Sequence, residues 1–189
     1  QNVNSKNLHH WFRMLYSCLV DADYLDTERF MNSTSYRLRT NSTNMVAIKE
    51  KLDSYLSNLS NLASDTLLNN TRNKIQDECK NAAKLEEGIY SLTVPTGGGK
   101  TLSSMVWAVN HAIYHGKERI IVAIPYTSII VQTAEIFRKI FGEENVLEHH
   151  SNFEGTGNQK LAAENWDAPI VVTTNVQLFE SLFSNKSSK

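Results

Sequence analysis

The residues best suited to chemistry form a glycine turn near the middle of the chain. Gly97, Gly98 and Gly99 are followed directly by Lys100 and Thr101. Because glycine has no Cβ, the backbone N–H groups of such a turn can surround an anion without obstruction. Lysine supplies a charge suited to β- and γ-phosphates, and the threonine hydroxyl is placed to ligate a Mg²⁺ shared with them. The turn therefore predicts a phosphate-binding loop.

The elements that would position this loop are a strand before it and a helix after it. Ile89, Leu92 and Val94 form a short apolar run closed by Pro95, and helical apolar spacing begins at Leu102. The unpaired N–H groups and positive dipole end of that helix add attraction for phosphate. A flexible surface turn with an incidental lysine is the alternative, and the order of strand, turn and helix favours nucleotide binding.

The sequence after the loop predicts an α/β fold with a parallel sheet. Residues 120–124 are apolar without alternation, which is typical of a parallel strand covered on both faces. Together with the preceding helix, which Gly116 ends, they complete a strand, helix, strand unit. Two further strands are predicted at 146–147 and 170–174, and helices are predicted from 129 to Gly142 and from 176 to 183.

The sequence before the loop predicts helices joined by a linker. Apolar residues at helical spacing between Leu8 and Tyr24 predict one buried face, and so do those between 45 and 62. Residues 32–44 are rich in Ser, Thr and Asn, which indicates an exposed loop. A third helix is predicted from 71 to 87, stopped by Gly88.

Two side chains on that third helix are candidates for contact with a nucleotide. Arg72 and Gln76 lie one turn apart. Gln76 resembles the glutamine that superfamily 2 helicases often carry ahead of the phosphate loop, which implies that its amide, both donor and acceptor, pairs with the edge of adenine. An ordinary exposed glutamine is an equal alternative. The predicted nucleotide-binding set is therefore Arg72, Gln76, Thr96, Gly97, Gly98, Gly99, Lys100 and Thr101, with Lys100 and Thr101 in the catalytic roles.

Composition limits the classes of protein that remain. The formal net charge of −1 gives no overall basic footprint, so nucleic-acid contact must come from local groups. Cys18 and Cys79 match no metal or redox spacing, which predicts reduced, buried thiols. No run approaches the roughly eighteen apolar residues of a membrane helix, and no secretory signal is evident. We expect a cytoplasmic protein, and the start at Gln1 suggests an excerpt of a longer chain.

An acidic cluster precedes the linker. Asp21, Asp23, Asp26 and Glu28 place four carboxylates within eight residues. From the pattern alone, a solvated acidic helix end is favoured over a metal site.

Several motifs resemble those of superfamily 2 helicases. The loop fits their motif I, A-x-x-G-x-G-K-T in shape, which tolerates Val94 where the full Walker pattern needs glycine. The stretch from Pro125 to Gln132 resembles motif Ia, with Ser128 in place of the usual arginine. Hydroxyls at such a turn can hold a DNA phosphate, or can simply cap a helix. The predicted nucleic-acid contacts are Thr127, Ser128, Thr173 and Thr174, the last two by resemblance to motif Ib.

A narrower resemblance is to the helicase-nucleases of type I CRISPR systems. Residues 17–28 resemble the last helix of their HD-type nuclease domain, His149-His150-Ser151 and residues 164–169 match their helicase pattern, and so does Pro125-Tyr126-Thr127-Ser128. The resemblance implies a partial RecA-like domain that uses ATP and Mg²⁺, moves on single-stranded DNA and is recruited by an RNA-guided surveillance complex. It also implies a divalent transition metal at the nuclease site, with Asp23 as a ligand.

This resemblance divides the chain into three parts and sets limits. Residues 1–31 would be the end of the nuclease domain, 32–70 a linker and docking helix, and 71–189 a first RecA-like domain truncated before motif II. No D-E-x-H or D-E-A-D sequence follows Thr174, so we expect the excerpt to bind nucleotide weakly without hydrolysing ATP or cutting DNA.

Another superfamily 2 translocase and a non-catalytic nucleotide- or DNA-binding module remain as alternative functions, and a small-molecule kinase is a weaker alternative.

Overall fold

The computed structural model describes residues 8–31, 43–62, 66–150, 166 and 168–183. These residues form six α-helices and three strands, which confirms the α/β class. In chain order the elements are α1 (Leu8–Met31), α2 (Met45–Leu62), α3 (Leu67–Ala82), α4 (Lys100–Tyr114), β1 (Ile120–Ile124), α5 (Thr127–Phe141), β2 (Val146–His149), β3 (Ile170–Thr174) and α6 (Asn175–Phe183). A short 3₁₀ turn, Glu143–Asn145, joins α5 to β2.

The three strands form a parallel sheet in the order β1, β3, β2. Ile124 at the end of β1 lies opposite Thr174 at the end of β3, and His149 at the end of β2 lies opposite Thr173. The carboxyl ends of all three strands therefore meet at one edge. Parallel neighbours need long crossovers, and α5 supplies the connection between β1 and β2.

The main core lies on one face of this sheet. Central strand β3 is buried on both faces, as its unbroken apolar run predicts. Its Ile170 and Val172 pack into the main core, whereas Val171 packs with Leu147 on the other face. Side chains from α2, α4 and α5 fill the main core: Met45, Ile48, Leu52, Met105, Val106, Val109, Ile130, Ala134, Phe137 and Phe141. The buried face predicted for the start of α2 is thus confirmed.

Strand β1 is less covered than predicted. Ile120 is buried, but Ile121 is 44% exposed and the rest of the strand is half-buried. Within the described residues β1 lies at the end of the sheet, with β3 on one side only. The expectation that both faces of β1 are covered is therefore wrong at Ile121, because an apolar run sets a preference for burial and the neighbouring elements decide it.

The strand predicted immediately before the glycine loop is not formed. Residues 89–94 have no regular structure, Ile89 is fully exposed, and of the predicted strand residues only Val94 is buried. A strand is held by hydrogen bonds to its neighbour, and none of the described strands pairs with this segment. The apolar pattern of residues 89–94 was therefore not enough to form a strand, and the prediction of a strand there is wrong.

Two of the predicted helices differ from the observed ones. Helix α1 continues to Met31. Four of its apolar side chains that were expected to be buried are exposed, Trp11, Phe12, Leu15 and Leu19, and Val20 is half-buried. The expectation of a buried thiol is also wrong at Cys18, which is exposed. Periodicity specifies an apolar face, but burial requires a partner. Helix α3 begins earlier and ends at Ala82, so Gly88 does not stop it. Most of the predicted linker lies outside the described residues.

Each helix of the described ranges falls short of the length or the hydropathy that a membrane-spanning helix needs.

Candidate nucleotide-binding loop

The carboxyl edge of the sheet gathers three helix N-termini. Helices α5 and α6 begin there because they follow β1 and β3 closely. Helix α4 is joined to the start of β1 by five residues, 115–119, so it runs back against that strand and its own first turn lies toward the same edge. In open α/β sheets, this edge is where ligands bind. The glycine loop enters α4 at that place.

The loop backbone requires glycine at two of its three positions. Gly97 has a φ of 81° and Gly99 has a φ of 83°, both in the left-handed region that L-residues with a Cβ adopt with difficulty. Gly99 is also the N-cap of α4. Its carbonyl accepts the first helical hydrogen bond, from Ser103 N–H at 3.0 Å. The N–H groups of Lys100, Thr101 and Leu102 precede that bond and point out of the helix start.

The middle glycine is required for a different reason, namely close packing. Gly98 is buried, and a Cβ built on it would lie 2.5 Å from Val94 Cγ1 and 3.0 Å from the Pro95 carbonyl oxygen. The first distance is shorter than real Cβ contacts allow, and the second is tighter than nearly all of them. The Gly98 N–H also donates to Pro95 O at 3.0 Å. Val94 is therefore the base over which the loop folds, which gives its apolar side chain a role.

The two candidate catalytic residues occupy the first turn of α4. Lys100 and Thr101 are both exposed at the helix start, and Thr96 is exposed on the other side of the glycines. A nucleotide-bound Mg²⁺ takes oxygen ligands, and Thr101 supplies one hydroxyl at the position where helix N–H groups favour anions. Among the described residues, no cluster of three or more His, Cys, Asp or Glu side chains offers a metal site made of protein ligands alone.

Arg72 reaches the loop from α3. Its Nε donates to Gly97 O at 3.1 Å and its Nη2 donates to the same oxygen at 2.6 Å. Its Nη1 donates to Asn69 Oδ1 at 3.3 Å. Gln76 lies one turn further along the helix and is half-buried. The fold thus brings Arg72 to the predicted loop and places Gln76 next to it on the same helix face.

The far ends of α3 and α4 are fastened by histidines. His111 Nδ1–H donates to Ala83 O at 2.9 Å, and His115 Nε2–H donates to Leu85 O at 2.8 Å. Trp107 stacks on His111 with ring centroids 4.6 Å apart. These contacts hold the chain just beyond α3 against the C-terminal end of α4.

This fastening determines the position of Arg72. The eleven residue steps from Arg72 to Ala83 and the twelve from Gly99 to His111 correspond to nearly equal helix lengths, about 17 and 18 Å at 1.5 Å per residue. The two helices run in the same direction, so a pair that is joined at the C-terminal ends meets again near the N-terminal ends. Arg72 consequently faces the glycine loop.

The predicted DNA contacts differ in accessibility. Thr127 and Ser128 are exposed in the first turn of α5. Thr174 is half-buried, and its Oγ1 accepts the Gln177 N–H at 3.0 Å, so it caps α6. Thr173 is fully buried and its hydroxyl donates to His149 O at 2.8 Å. The only polar atom of the Thr173 side chain is therefore engaged inside the fold, and contact of Thr173 with DNA stays a prediction.

The histidine pair at the end of β2 has two separate environments. Trp166 Nε1–H donates to His149 Nδ1 at 3.0 Å, so His149 carries its proton on Nε2. Burial, and then the neighbouring His150, lower the pKa of His149. His150 Nε2 instead lies 2.8 Å from Glu148 Oε1. The two side chains do not share a ligand site within the described residues.

A buried charge cluster beside this pair was not predicted. Glu148 is buried, and its Oε2 lies 3.0 Å from Arg138 Nη2 while its Oε1 faces His150. The cluster joins α5 to the end of β2. Its members are ten and two residues apart in sequence, and no sequence motif connects Arg138 with Glu148. A glutamate within an otherwise apolar strand was the one available signal.

The proposed nuclease ligand stands apart from these features. Asp23 is exposed on α1, and so is Asp26. The described residues assemble no group of three metal-ligating side chains around them. The metal role of Asp23 therefore stays a prediction.

Fold and loop together define an α/β nucleotide-binding domain of the RecA-like type, described here in part. The family model for DEAD/DEAH box helicases matches residues 73–189, and the chain belongs to that family. The matched region begins beside Arg72 and contains the loop, the whole sheet and all three helix starts. No curated protein matches the chain. Membership assigns the chain to the ATP-dependent, nucleic-acid-binding helicases of superfamily 2.

Replacing Gly98 tests the packing that shapes the loop. We expect Gly98→Ala to weaken binding of a fluorescent ADP analogue by about tenfold or more, because the new methyl group collides with Val94 and forces the loop apart. The double variant Gly98→Ala with Val94→Ala removes the closest collision and should recover part of the affinity. Equal affinities for wild type and Gly98→Ala would contradict the close-packing argument.

The lowered pKa of His149 predicts sensitivity to acid. The unfolded chain binds a proton near the ordinary histidine pKa of about 6.5, whereas folded His149 binds it only at lower pH. The free energy of unfolding should therefore fall as pH drops below 6.5, and level off below the folded pKa. His149→Asn keeps an acceptor for Trp166 but does not titrate, so urea unfolding between pH 7 and pH 5 should show a smaller loss. An unchanged pH slope in that variant would refute the assignment.

Proposed function

We propose that this chain is the nucleotide-binding part of an ATP-driven single-stranded DNA translocase that also carries a metal-dependent nuclease and degrades invading DNA in type I CRISPR immunity. The observation that carries the ATP-binding core of this proposal is the glycine loop packed over Val94 at the start of α4. The family match to the DEAD/DEAH box helicases supports it. The assignment to a helicase-nuclease of type I CRISPR immunity depends on the resemblance of residues 17–28, 125–128, 149–151 and 164–169 to that family.

In this proposal the loop and the first turn of α4 hold the phosphates. Gly97 to Gly99 have no side chains to block a phosphate from the backbone, and the N–H groups at the helix start donate hydrogen bonds to the phosphate oxygens. Lys100 adds a positive charge where the β- and γ-phosphates would lie. Thr96 lies across the loop from these residues and completes its rim.

Thr101 would hold the Mg²⁺ that accompanies the nucleotide. When bound, that ion bridges phosphate oxygens and neutralises their charge. The exposed Thr101 hydroxyl, one residue inside the helix, provides a ligand beside the same N–H groups. A hydroxyl keeps the ion close without adding a competing negative charge.

Gln76 would recognise the base. It lies one turn beyond Arg72 on α3, so it is further from the loop than the phosphate-binding residues are. That order along the helix matches the order of phosphate and base in a nucleotide. The amide can donate to and accept from the adenine edge at once.

The DNA strand would be held by groups at the same edge of the sheet. Thr127 and Ser128 expose their hydroxyls at the start of α5, where the N–H groups of the helix also face outward. Thr174, at the start of α6, lies next to the end of β1 by strand register. A phosphate backbone running past both helix starts would lie close to the nucleotide, which provides a route for coupling the two.

The nuclease and CRISPR parts of the proposal depend on the first helix and on the motif set. Residues 17–28, within α1 of the structure, resemble the last helix of an HD-type nuclease domain, with Asp23 as a ligand of a divalent transition metal. We accordingly propose a division into 1–31, 32–70 and 71–189. Recruitment by an RNA-guided surveillance complex follows from the same resemblance.

Substitution of Lys100 tests nucleotide binding. We expect Lys100→Ala to weaken ADP binding by at least about tenfold, because a charge-assisted hydrogen bond to phosphate is lost. Lys74→Ala, which removes an exposed charge from α3, is the matched control and should bind as wild type does. Titration calorimetry measures both. Comparable affinities in all three proteins would rule out the loop as the phosphate site.

Substitution of Asp23 tests the nuclease assignment in the natural full-length protein. Asp23→Asn should abolish metal-dependent cleavage of single-stranded DNA while leaving DNA-stimulated ATP hydrolysis within about twofold of wild type, because a neutral amide is a poor ligand for the metal. Asp26→Asn, one turn away on the same helix, is the control and should cleave normally. Retained cleavage in Asp23→Asn would exclude this residue as a ligand.

A further inference from the structure

We propose that Arg72 is a positioning residue that holds the peptide between Gly97 and Gly98 in the orientation needed for phosphate binding, and that it does so without touching the nucleotide. This inference rests on the proposed function, since it assumes that the glycine loop binds phosphate. It gives Arg72 a different role from that of a nucleotide ligand.

Arg72 is half-buried, and all three nitrogens of its guanidinium group make hydrogen bonds. Nε and Nη2 both donate to the Gly97 carbonyl oxygen, at 3.1 and 2.6 Å, and Nη1 donates to Asn69 Oδ1 at 3.3 Å. All three guanidinium nitrogens are therefore engaged by the protein. Asn69 lies one turn before Arg72 on α3 and fixes the plane of the group.

The same peptide is also held at its other end. The Gly98 N–H, which belongs to the peptide unit whose carbonyl Arg72 binds, donates to Pro95 O at 3.0 Å. In a trans peptide the carbonyl and the N–H point in opposite directions. The unit is thus clamped between α3 on one side and the loop base on the other, and neither bond can form after a flip of the peptide.

Such a clamp is needed because the peptide joins two glycines. Glycine populates positive and negative φ about equally, so a Gly-Gly peptide rotates more freely than any other. A rotation of about half a turn would swing the Gly97 carbonyl to the opposite side of the loop. The Gly97 carbonyl oxygen would then face the Pro95 carbonyl oxygen at the loop base instead of the guanidinium, and this repulsion would force the loop out of the shape that its phosphate-binding N–H groups require. The Arg72 bond opposes that rotation.

The position of Arg72 is itself determined by the fold. The histidine contacts of His111 and His115 with the end of α3 set the alignment of α3 against α4, and the similar lengths of the two helices bring Arg72 level with Gly97. A lysine at this position would keep the charge but would lack two fixed donors for one oxygen. Geometry and charge can therefore be separated by substitution.

The experiment compares ADP with adenosine in this chain. Titrations of both ligands are made with wild type, Arg72→Ala, Arg72→Lys and the matched charge control Lys74→Ala. We expect Arg72→Ala to weaken ADP binding by about tenfold, Arg72→Lys to weaken it nearly as much, and Lys74→Ala to change it less than twofold. Adenosine, which has no phosphate, should bind all four proteins equally.

A second readout examines the loop without nucleotide. The amide hydrogen of Gly98 should exchange faster in Arg72→Ala than in wild type, by a factor of about ten, while the amides of Val106 and Val109 in the core of α4 keep their wild-type rates. Unchanged core rates also show that the variant is folded. An unchanged Gly98 rate would overturn the proposal.

The remaining outcomes separate this inference from the function on which it rests. A wild-type chain that binds ADP no better than Lys100→Ala would overturn the proposed function and this inference with it. ADP binding that is lost in Lys100→Ala but kept in Arg72→Ala would overturn the inference alone. Wild-type ADP affinity in Arg72→Lys would mean that Arg72 contributes only its positive charge. Equal losses of affinity for ADP and adenosine in Arg72→Ala would mean that Arg72 contacts the nucleoside. Both results would overturn the positioning role.

Discussion

The contact between Gly98 and Val94 is the constraint on which the site depends. A backbone cradle for an anion needs a turn tight enough to direct several N–H groups inward, and here that turn lies directly on a buried valine side chain. A Cβ at position 98 has no room, and positive φ values at Gly97 and Gly99 turn the chain into the helix. The valine that departs from the full Walker pattern is thus the support of the loop.

The loop is also held from the side by a second helix. Helices α3 and α4 are fastened at one end by His111 and His115, which donate to carbonyls just beyond α3. At the other end Arg72 binds the Gly97 carbonyl. A helix pair joined at both ends behaves as a frame, so the flexible glycines are bounded by rigid elements. Catalytic groups held this way lose little entropy when a ligand binds.

The edge of the sheet brings separate parts of the chain into one region. Parallel pairing places the ends of β1 and β3 side by side, and helices α5 and α6 both begin there. Behind that edge, Thr173, His149 and Trp166 form a hydrogen-bonded chain, and Arg138 neutralises the buried Glu148. These contacts give the buried hydroxyl, indole and carboxylate groups partners inside the fold, which offsets part of the cost of burying them. Their role is to fix the strand ends.

The sequence by itself determined the glycine loop and the helix after it. It also determined the succession of β1, α5, β2 and β3 along the chain and the helix ends near Gly116 and Gly142. These features follow from the chemistry and the apolar pattern of residues close together in the sequence. Tertiary structure decided what depends on distant partners. None of the described strands pairs with the apolar segment before the loop, and the apolar face of α1 is exposed. Thr173 proved to be internal, and Arg72 proved to bind a carbonyl 25 residues away. Periodicity states which side chains prefer burial, whereas only packing determines which of them find a partner.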